Sequence, residues 1–202
     1  MTSPARRNHP VENESFDILF REARTYNGWL KRDVGDDLLH SIHDLCKWGP
    51  TSANCSPMRT VFIKSPEAKA RLKSFLDKGN VDKTMAAPVS AVFAFDMEFY
   101  NHLPRLFPHT DAKSWFVGND TLIEETAWRN GTLQAGYFIL AARAAGLDCG
   151  PMSGFDKNGV KEAFFAGENV RVNFLCNLGY GDPASLHPRS PRFDFPDVCR
   201  IV

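Results

Sequence analysis

The stretch Trp48-Gly49-Pro50-Thr51-Ser52-Ala53-Asn54-Cys55-Ser56-Pro57 decides how this chain is read. It follows an amphipathic segment and precedes the strand-like run Met58 to Ile63. A plain connector needs one turn signal. A row of hydroxyls, an amide and two prolines instead makes a rigid loop that presents donors and acceptors at close approach. The stretch is a binding-loop candidate, with an ordinary surface loop as the bland alternative. Cys55 is a second candidate, as a nucleophile with His43 as its base, but no signature around it supports that chemistry.

Upstream, Leu38, Leu39, Ile42, Leu45 and Cys46 follow helical spacing and predict a helix from about Asp36 to Lys47, with His43 beside its apolar face as a core or boundary histidine. Ser15 is the expected N-cap of a short helix over 16–23, and residues 1–14 read as a disordered polar tail. Downstream, Met58 to Ile63 reads as a strand, Pro66 to Leu76 as a helix with proline in its first turn, and Pro88 to Phe95 as a buried central strand. Residues 96–118 form a long irregular segment whose aromatics suggest a lid packed over something. Asn119 or Asp120 caps a helix running to Ala145, with Gly146 as its stop. Its second half, Leu133 to Leu147, is apolar nearly all round, which predicts burial on every side, most simply at a subunit interface. Leu147 to Pro151 leads into a turn at Met152-Ser153-Gly154. A helix at Lys157 to Phe165 and a strand at Val170 to Leu178 follow. From Ala184 the chain is extended and rich in proline and arginine, an arm suited to lie across a partner subunit or hold an anion. No repeat and no composition shift divides the sequence, so residues 15–202 are read as one α+β domain.

The 202 residues are 43% hydrophobic and 24% charged, as in an ordinary soluble protein, and the zero formal charge argues against a large footprint for nucleic acid or anionic lipid. The apolar run Leu133 to Ala142 is too short to span a bilayer, and no signal-peptide core follows Arg6 and Arg7. No membrane partner and a cytoplasmic location are expected. Five cysteines without CxxC or zinc spacing read as free thiols, with no metal site. There is no phosphate-binding GxxxxGK[ST], no GxGxxG between strand and helix, no HExxH and no GxSxG. What remains is a set of dispersed polar loops and arginines, suited to a ligand bound between elements.

Five pieces, in order, make the chain resemble the flavin-dependent nitroreductase family. Ala23-Arg24-Thr25-Tyr26-Asn27 resembles its N-terminal Arg-Ser/Thr phosphate motif, and Pro50 to Pro57 its Pro-Ser-Ser-x-Asn-x-Gln-Pro flavin loop. Asn80 and Lys83 match residues that approach the flavin in some members, Ala141 to Phe155 resembles the Gly-Leu and Pro-x-x-Gly-Phe segment, and Arg189 and Arg192 resemble the C-terminal basic pair. Asn27 stands where many members carry Arg or Lys, Ser56 where the loop has Gln, and Ser153 where others have Glu or Gly. The segments Arg24 to Trp29, Lys47 to Pro57, Leu106 to Phe116 and Gly150 to Phe155 are most similar to the malonic-semialdehyde reductases of pyrimidine degradation.

The resemblance implies a three-layer fold with a central, mostly antiparallel sheet between helices. It also implies an intertwined homodimer with exchanged C-terminal arms and sites at the subunit interface. It implies FMN as cofactor and NADH or NADPH as reductant. Arg24, Thr25, Arg189 and Arg192 would hold the phosphate. Asn27, Pro50, Thr51, Ser52, Asn54, Ser56, Asn80, Lys83, Pro151, Met152, Ser153 and Gly154 would surround the ring system. Such an enzyme needs no protein nucleophile, because the flavin carries the hydride. His109 in the expected lid is the candidate proton donor, with solvent as the alternative. The implied reaction is reduction of malonic semialdehyde, or a similar small aldehyde, to 3-hydroxypropionate in alternating half-reactions. Broad nitroaromatic or quinone reduction, and flavin binding without turnover, are the competing readings.

Overall fold

The computed structural model describes residues 10–202. The expected tail is therefore outside the described residues over 1–9. Helix α1 (Asn13–Phe16) already takes in Asn13 and Glu14, and it continues as a wider π-helical turn over Asp17–Arg21. Its N-cap is Glu12 rather than Ser15, whose amide donates to the Glu12 carbonyl inside the first turn.

Helix α2 (Asp36–Cys46) buries Leu39, Ile42 and Cys46 of the apolar positions read from its spacing, whereas Leu38 is only partly buried and Leu45 is exposed. His43 is not a core histidine: it points outward beside Asp44. The strand β1 (Met58–Ile63) and the helix α3 (Pro66–Lys73) begin where expected, with Ser65 accepting the Ala68 amide as N-cap. An unforeseen helix, α4 (Lys78–Ala86), fills the interval before β2 (Val89–Asp96), which is buried over all but its last residue.

The segment 96–118 is not a structureless loop. It folds into a 3₁₀ turn at Phe99–His102, the short helix α5 (Leu103–Leu106) and another 3₁₀ turn at Ala112–Trp115. Phe99, Leu103, Ala112 and Phe116 pack on Cys55, Phe95, Ile123 and Ala127, forming a small core of their own. The side chain of Asn119 caps α6 (Asp120–Ala144), and Gly146 follows its end at a φ of 82°, the left-handed conformation glycine adopts without penalty.

Residues 148–152, read as a lead-in to a turn, are the strand β3 (Asp148–Met152). Proline and glycine concealed it, and Met152 lies in this strand. The remaining elements are α7 (Lys157–Phe164), β4 (Val170–Gly179) and the short α8 (Phe195–Val198) in the arm.

The four strands form one antiparallel sheet in the order β1-β2-β4-β3. Along β2, Val89, Ala91 and Phe93 face α2 and α6, where Ile42 and Phe138 meet them. Val92 and Ala94 face the opposite way, toward Leu72 of α3 and Val160 of α7. That alternation makes three layers, helices on both faces of the sheet, as an α+β reading requires. The register shifts between Phe93 and Ala94, so β4 accommodates Asn173 as an extra residue and Val172 and Leu175 share one face.

One buried group in the α3 layer has no counter-charge. Lys69 is 5% exposed, and its Nζ donates to the Thr84 carbonyl (2.9 Å) and the Ser90 hydroxyl (2.7 Å). Ser90 donates to Asn177 Oδ1, and Asn177 Nδ2 donates to Thr84 Oγ1 and the Lys83 carbonyl. Burial disfavours the ammonium and pushes Lys69 down to about 8. Below that pH both folded and unfolded chains hold the proton, and the fold carries the full desolvation cost. Above it the native chain releases the proton, while the unfolded chain keeps it to about pH 10.4. Wild-type stability should therefore gain on a Lys69→Met variant between pH 8 and pH 10, measured as the difference in urea midpoints. A difference that stays constant with pH would remove the uncompensated charge from the account.

Candidate functional site

The residues singled out in the sequence fall into two groups. The first surrounds the β3 edge. Residues 25–30 run along that edge: Tyr26 N–H donates to the Cys149 carbonyl (3.2 Å), and Leu30 N–H to the Tyr180 carbonyl (2.8 Å). The approach is so close that a Cβ on Gly150 would lie 2.7 Å from the Tyr26 carbonyl oxygen, and one on Gly181 would enter the Tyr26 ring. This packing fixes Thr25 and Tyr26 beside Cys149 and Gly150, with Arg24 and Asn27 flanking them in the chain.

Helix α4 closes the same edge. Asn80 Nδ2 donates to the Gly154 carbonyl at 2.7 Å, and a Cβ on Gly154 would meet that amide, so Asn80 and the Ser153-Gly154 turn form one unit. The Lys83 carbonyl accepts the Trp29 indole N–H, tying α4 to the segment that carries Arg24. Arg24 donates to the His187 carbonyl, and Arg189 donates to the carbonyls of Arg21 and Ala23. The arm therefore returns across the N-terminal segment and brings Arg189 toward Arg24. Arg192 stays local, donating to Ser190 and Pro191, and is exposed.

The second group lies at the opposite edge. Pro50, Thr51, Ser52, Asn54 and Ser56 precede β1, three strand spacings or about 14 Å from β3. Ala53, Asn54 and Ser56 all adopt positive φ (48°, 51° and 40°). Left-handed backbone costs a non-glycine residue roughly 1–2 kcal/mol, so the conformation persists only because neighbours over-determine it. Helix α6 supplies those neighbours. Asn130 Oδ1 accepts the Ser52 amide, and Gln134 Oε1 accepts the Met58 amide, each at 2.9 Å. Within the loop Thr51 Oγ1 accepts the Ser56 amide, and Asn54 Nδ2 reaches the Leu106 carbonyl at 2.8 Å. Asn130 and Gln134 were missed as functional residues. Their signal was a pair of amides one helical turn apart on a face otherwise apolar.

Cys55 does not behave as a nucleophile. Its side chain is fully buried in the small core under the lid, and burial raises its thiol to about 11. His43, the supposed base, is exposed on α2. His109 lies at the exposed lid tip, its ring edge-on to Phe107 at 5.5 Å.

Next to the strained loop is a cavity of about 840 Å³ between α2, β1 and α5, with Ser56, Met58, Phe62 and Phe138 among its walls. His102 and Arg105, not His109, reach it from the lid. No group of three or more His, Cys, Asp or Glu able to hold a metal occurs among the described residues.

The β3 edge suits a phosphate-bearing, planar cofactor. Arg24, Arg189 and Lys83 form no ion pair among the described residues. Their positive charge is thus not offset by a carboxylate.

A family model described as the nitroreductase family matches residues 21–180. A "putative NADH dehydrogenase/NAD(P)H nitroreductase" of Burkholderia lata is 64% identical over 191 residues, covering 95% of this chain and 98% of the relative. A protein of the same description from Stenotrophomonas maltophilia is 57% identical, with 96% and 99% covered. Among solved structures, a "putative nitroreductase in complex with FMN" from Exiguobacterium sibiricum superposes with a TM-score of 0.84 at 19% identity, covering 96% of this chain and 99% of that one. A nitroreductase family protein from Streptococcus pneumoniae gives 0.82, also at 19% identity, with 93% and 100% covered.

The thiol geometry gives a direct check. With the folded protein at pH 8, an alkylating reagent should leave Cys55 unmodified in peptide mapping, and denaturant should expose it. Rapid labelling of Cys55 in the native state would reinstate it as a reactive group.

Proposed function

The chain belongs to the nitroreductase family, and on that premise we propose that this oxidoreductase binds FMN at the β3 edge, takes hydride from NADH or NADPH, and reduces a small aldehyde acid. The observation that carries the reading is a pair of cations without carboxylate partners, Arg24 and Arg189, held where the arm crosses the N-terminal segment that lines the β3 edge. The FMN-bound relative from Exiguobacterium sibiricum, with the same fold, supports that cofactor.

Arg24 and Arg189, with the Thr25 hydroxyl and Arg192, hold the phosphate. Asn27, Asn80, Lys83 and the Pro151-Met152-Ser153-Gly154 backbone orient the ring. The bound flavin supplies hydride transfer in both half-reactions. Lys83 and Arg24 would supply positive charge to the reduced cofactor. His109 stays the candidate proton donor only if it turns inward from the exposed lid tip; otherwise solvent supplies the proton to the carbonyl oxygen.

One chain holds only half of the proposed lining at each edge, because the sheet separates Pro50, Thr51, Ser52, Asn54 and Ser56 from the β3 group. A homodimer brings the loop of one protomer to the β3 edge of its partner. Two sets of exposed apolar side chains support this assembly: Trp48 in the turn after α2 with Trp128, Leu133 and Tyr137 on α6, and Phe193, Phe195, Val198 and Ile201 on the arm. Leu133 is 43% exposed in the single chain, so the expected burial of α6 on every side requires this partner. Exchange of the arms between protomers is part of the same proposal.

Malonic semialdehyde is the proposed acceptor, on the strength of the lid and loop segments that resemble the reductases of that compound. Broad reduction of nitroaromatics or quinones is the second reading, favoured by the description of the 64% identical relative. No described helix is long and apolar enough to cross a membrane.

Purified protein should carry a visible flavin spectrum that bleaches with NADH or NADPH under anaerobic conditions and recovers with malonic semialdehyde. A spectrum that persists would favour binding without turnover, and a colourless protein that takes up no FMN would overturn the reading. Arg24→Ala should weaken FMN about tenfold, the loss of one charge-assisted contact, in a fluorescence titration. A chain ending at Leu186, which keeps the Ser185 contact to Gly28, should lose dimer mass in light scattering; a yellow dimer would rule out the arm.

A further inference from the structure

The cavity beside the strained loop is cationic, and its charges are not equivalent. Four lysine or arginine side chains line it: Lys47, Arg59, Lys64 and Arg105. Lys47 is paired with Asp44, Lys64 with Asp36, and Arg59 with Asp96, which His102 also approaches at 3.7 Å. Arg105 has no ion pair and no hydrogen bond among the described residues, and it is exposed to the cavity mouth from α5.

Arg105 is also placed with respect to the loop. Its neighbour Leu106 offers the carbonyl that accepts Asn54 Nδ2, so the turn bearing the guanidinium is fastened to the left-handed segment. Leu103, two residues before Arg105, is buried in the lid core, which prevents the turn from swinging away. A guanidinium is a planar fork that matches a carboxylate with two parallel hydrogen bonds. An unpaired fork carried on an anchored turn at the mouth of a partly apolar cavity is available to an anionic group from outside the chain.

We propose that Arg105 is a specificity-determining residue that binds the carboxylate of the acceptor substrate and so selects short aldehyde acids over neutral acceptors. The inference rests on the oxidoreductase reading above and adds to it the chemical class of the acceptor. Arg105 makes no contact with the reacting carbonyl. Its removal leaves flavin binding and reduction by NAD(P)H intact and raises the KM of charged acceptors.

The test uses the flavin-loaded protein with a neutral quinone as acceptor and 3-hydroxypropionate as the carboxylate probe. In the wild type, 3-hydroxypropionate should compete with the quinone and perturb the oxidised flavin spectrum on titration. Arg105→Gln should raise both the inhibition constant and the spectral dissociation constant about tenfold, leaving the quinone KM and the flavin content unchanged. Arg105→Lys should restore part of the loss. Quinone reduction with unchanged carboxylate affinity in Arg105→Gln would overturn the role of Arg105 while the oxidoreductase reading stands. A flavin-loaded wild type that reduces neither quinone nor aldehyde would overturn that reading and this inference together.

Discussion

Two amide side chains on α6 hold the conformation on which the site depends. Asn130 and Gln134 accept the backbone amides of Ser52 and Met58, at the two ends of the loop that contains the left-handed residues Ala53, Asn54 and Ser56. Each hydrogen bond is worth only about 1 kcal/mol net, but an unpaired amide buried at that position costs more. The loop therefore cannot relax to ordinary turn geometry without leaving the buried Asn130 and Gln134 oxygens unpaired. Its strain is borne by a helix packed on the central sheet.

The sheet imposes the second constraint. With β1 and β3 at its two edges, the loop and the β3 group cannot meet within one chain. The segment 25–30 covers the β3 edge so closely that glycine is required at 150 and 181. The proposed dimer meets this constraint by letting each chain complete the other's lining, and the exposed faces of α6 and the arm give it surface to bury. The lid belongs to the same arrangement. It is anchored by its own apolar core and fastened to the loop through Asn54, so the turn that carries Arg105 is held beside the cavity.

Electrostatics follow the same division. Most cations near the cavity are neutralised by a neighbouring carboxylate, whereas Arg24, Arg189 and Lys83 are not paired with acids. Lys69 is the deepest case, an ammonium among carbonyl, hydroxyl and amide groups behind Lys83 and Met152.

The sequence by itself determined the elements with clear periodicity. The spacing of Leu39, Ile42 and Cys46 identified α2, the apolar run at Val89 to Phe95 identified β2, and Asn119 with Gly146 marked the ends of α6. These signals are local, because burial of one helical face or one central strand is written in consecutive residues. Order along the chain also identified the family, since the motif pieces fall in sequence. Tertiary structure alone decided the rest. Asp148–Met152 became a strand because β4 pairs with it, against the proline and glycine that argue for a turn. Residues 96–118 became a packed lid because Cys55, Ile123 and Ala127 offered an apolar surface distant in sequence. Cys55 became buried and Arg105 unpaired for the same reason. Burial and ion pairing are set by residues far apart in the chain, so a local pattern cannot state them.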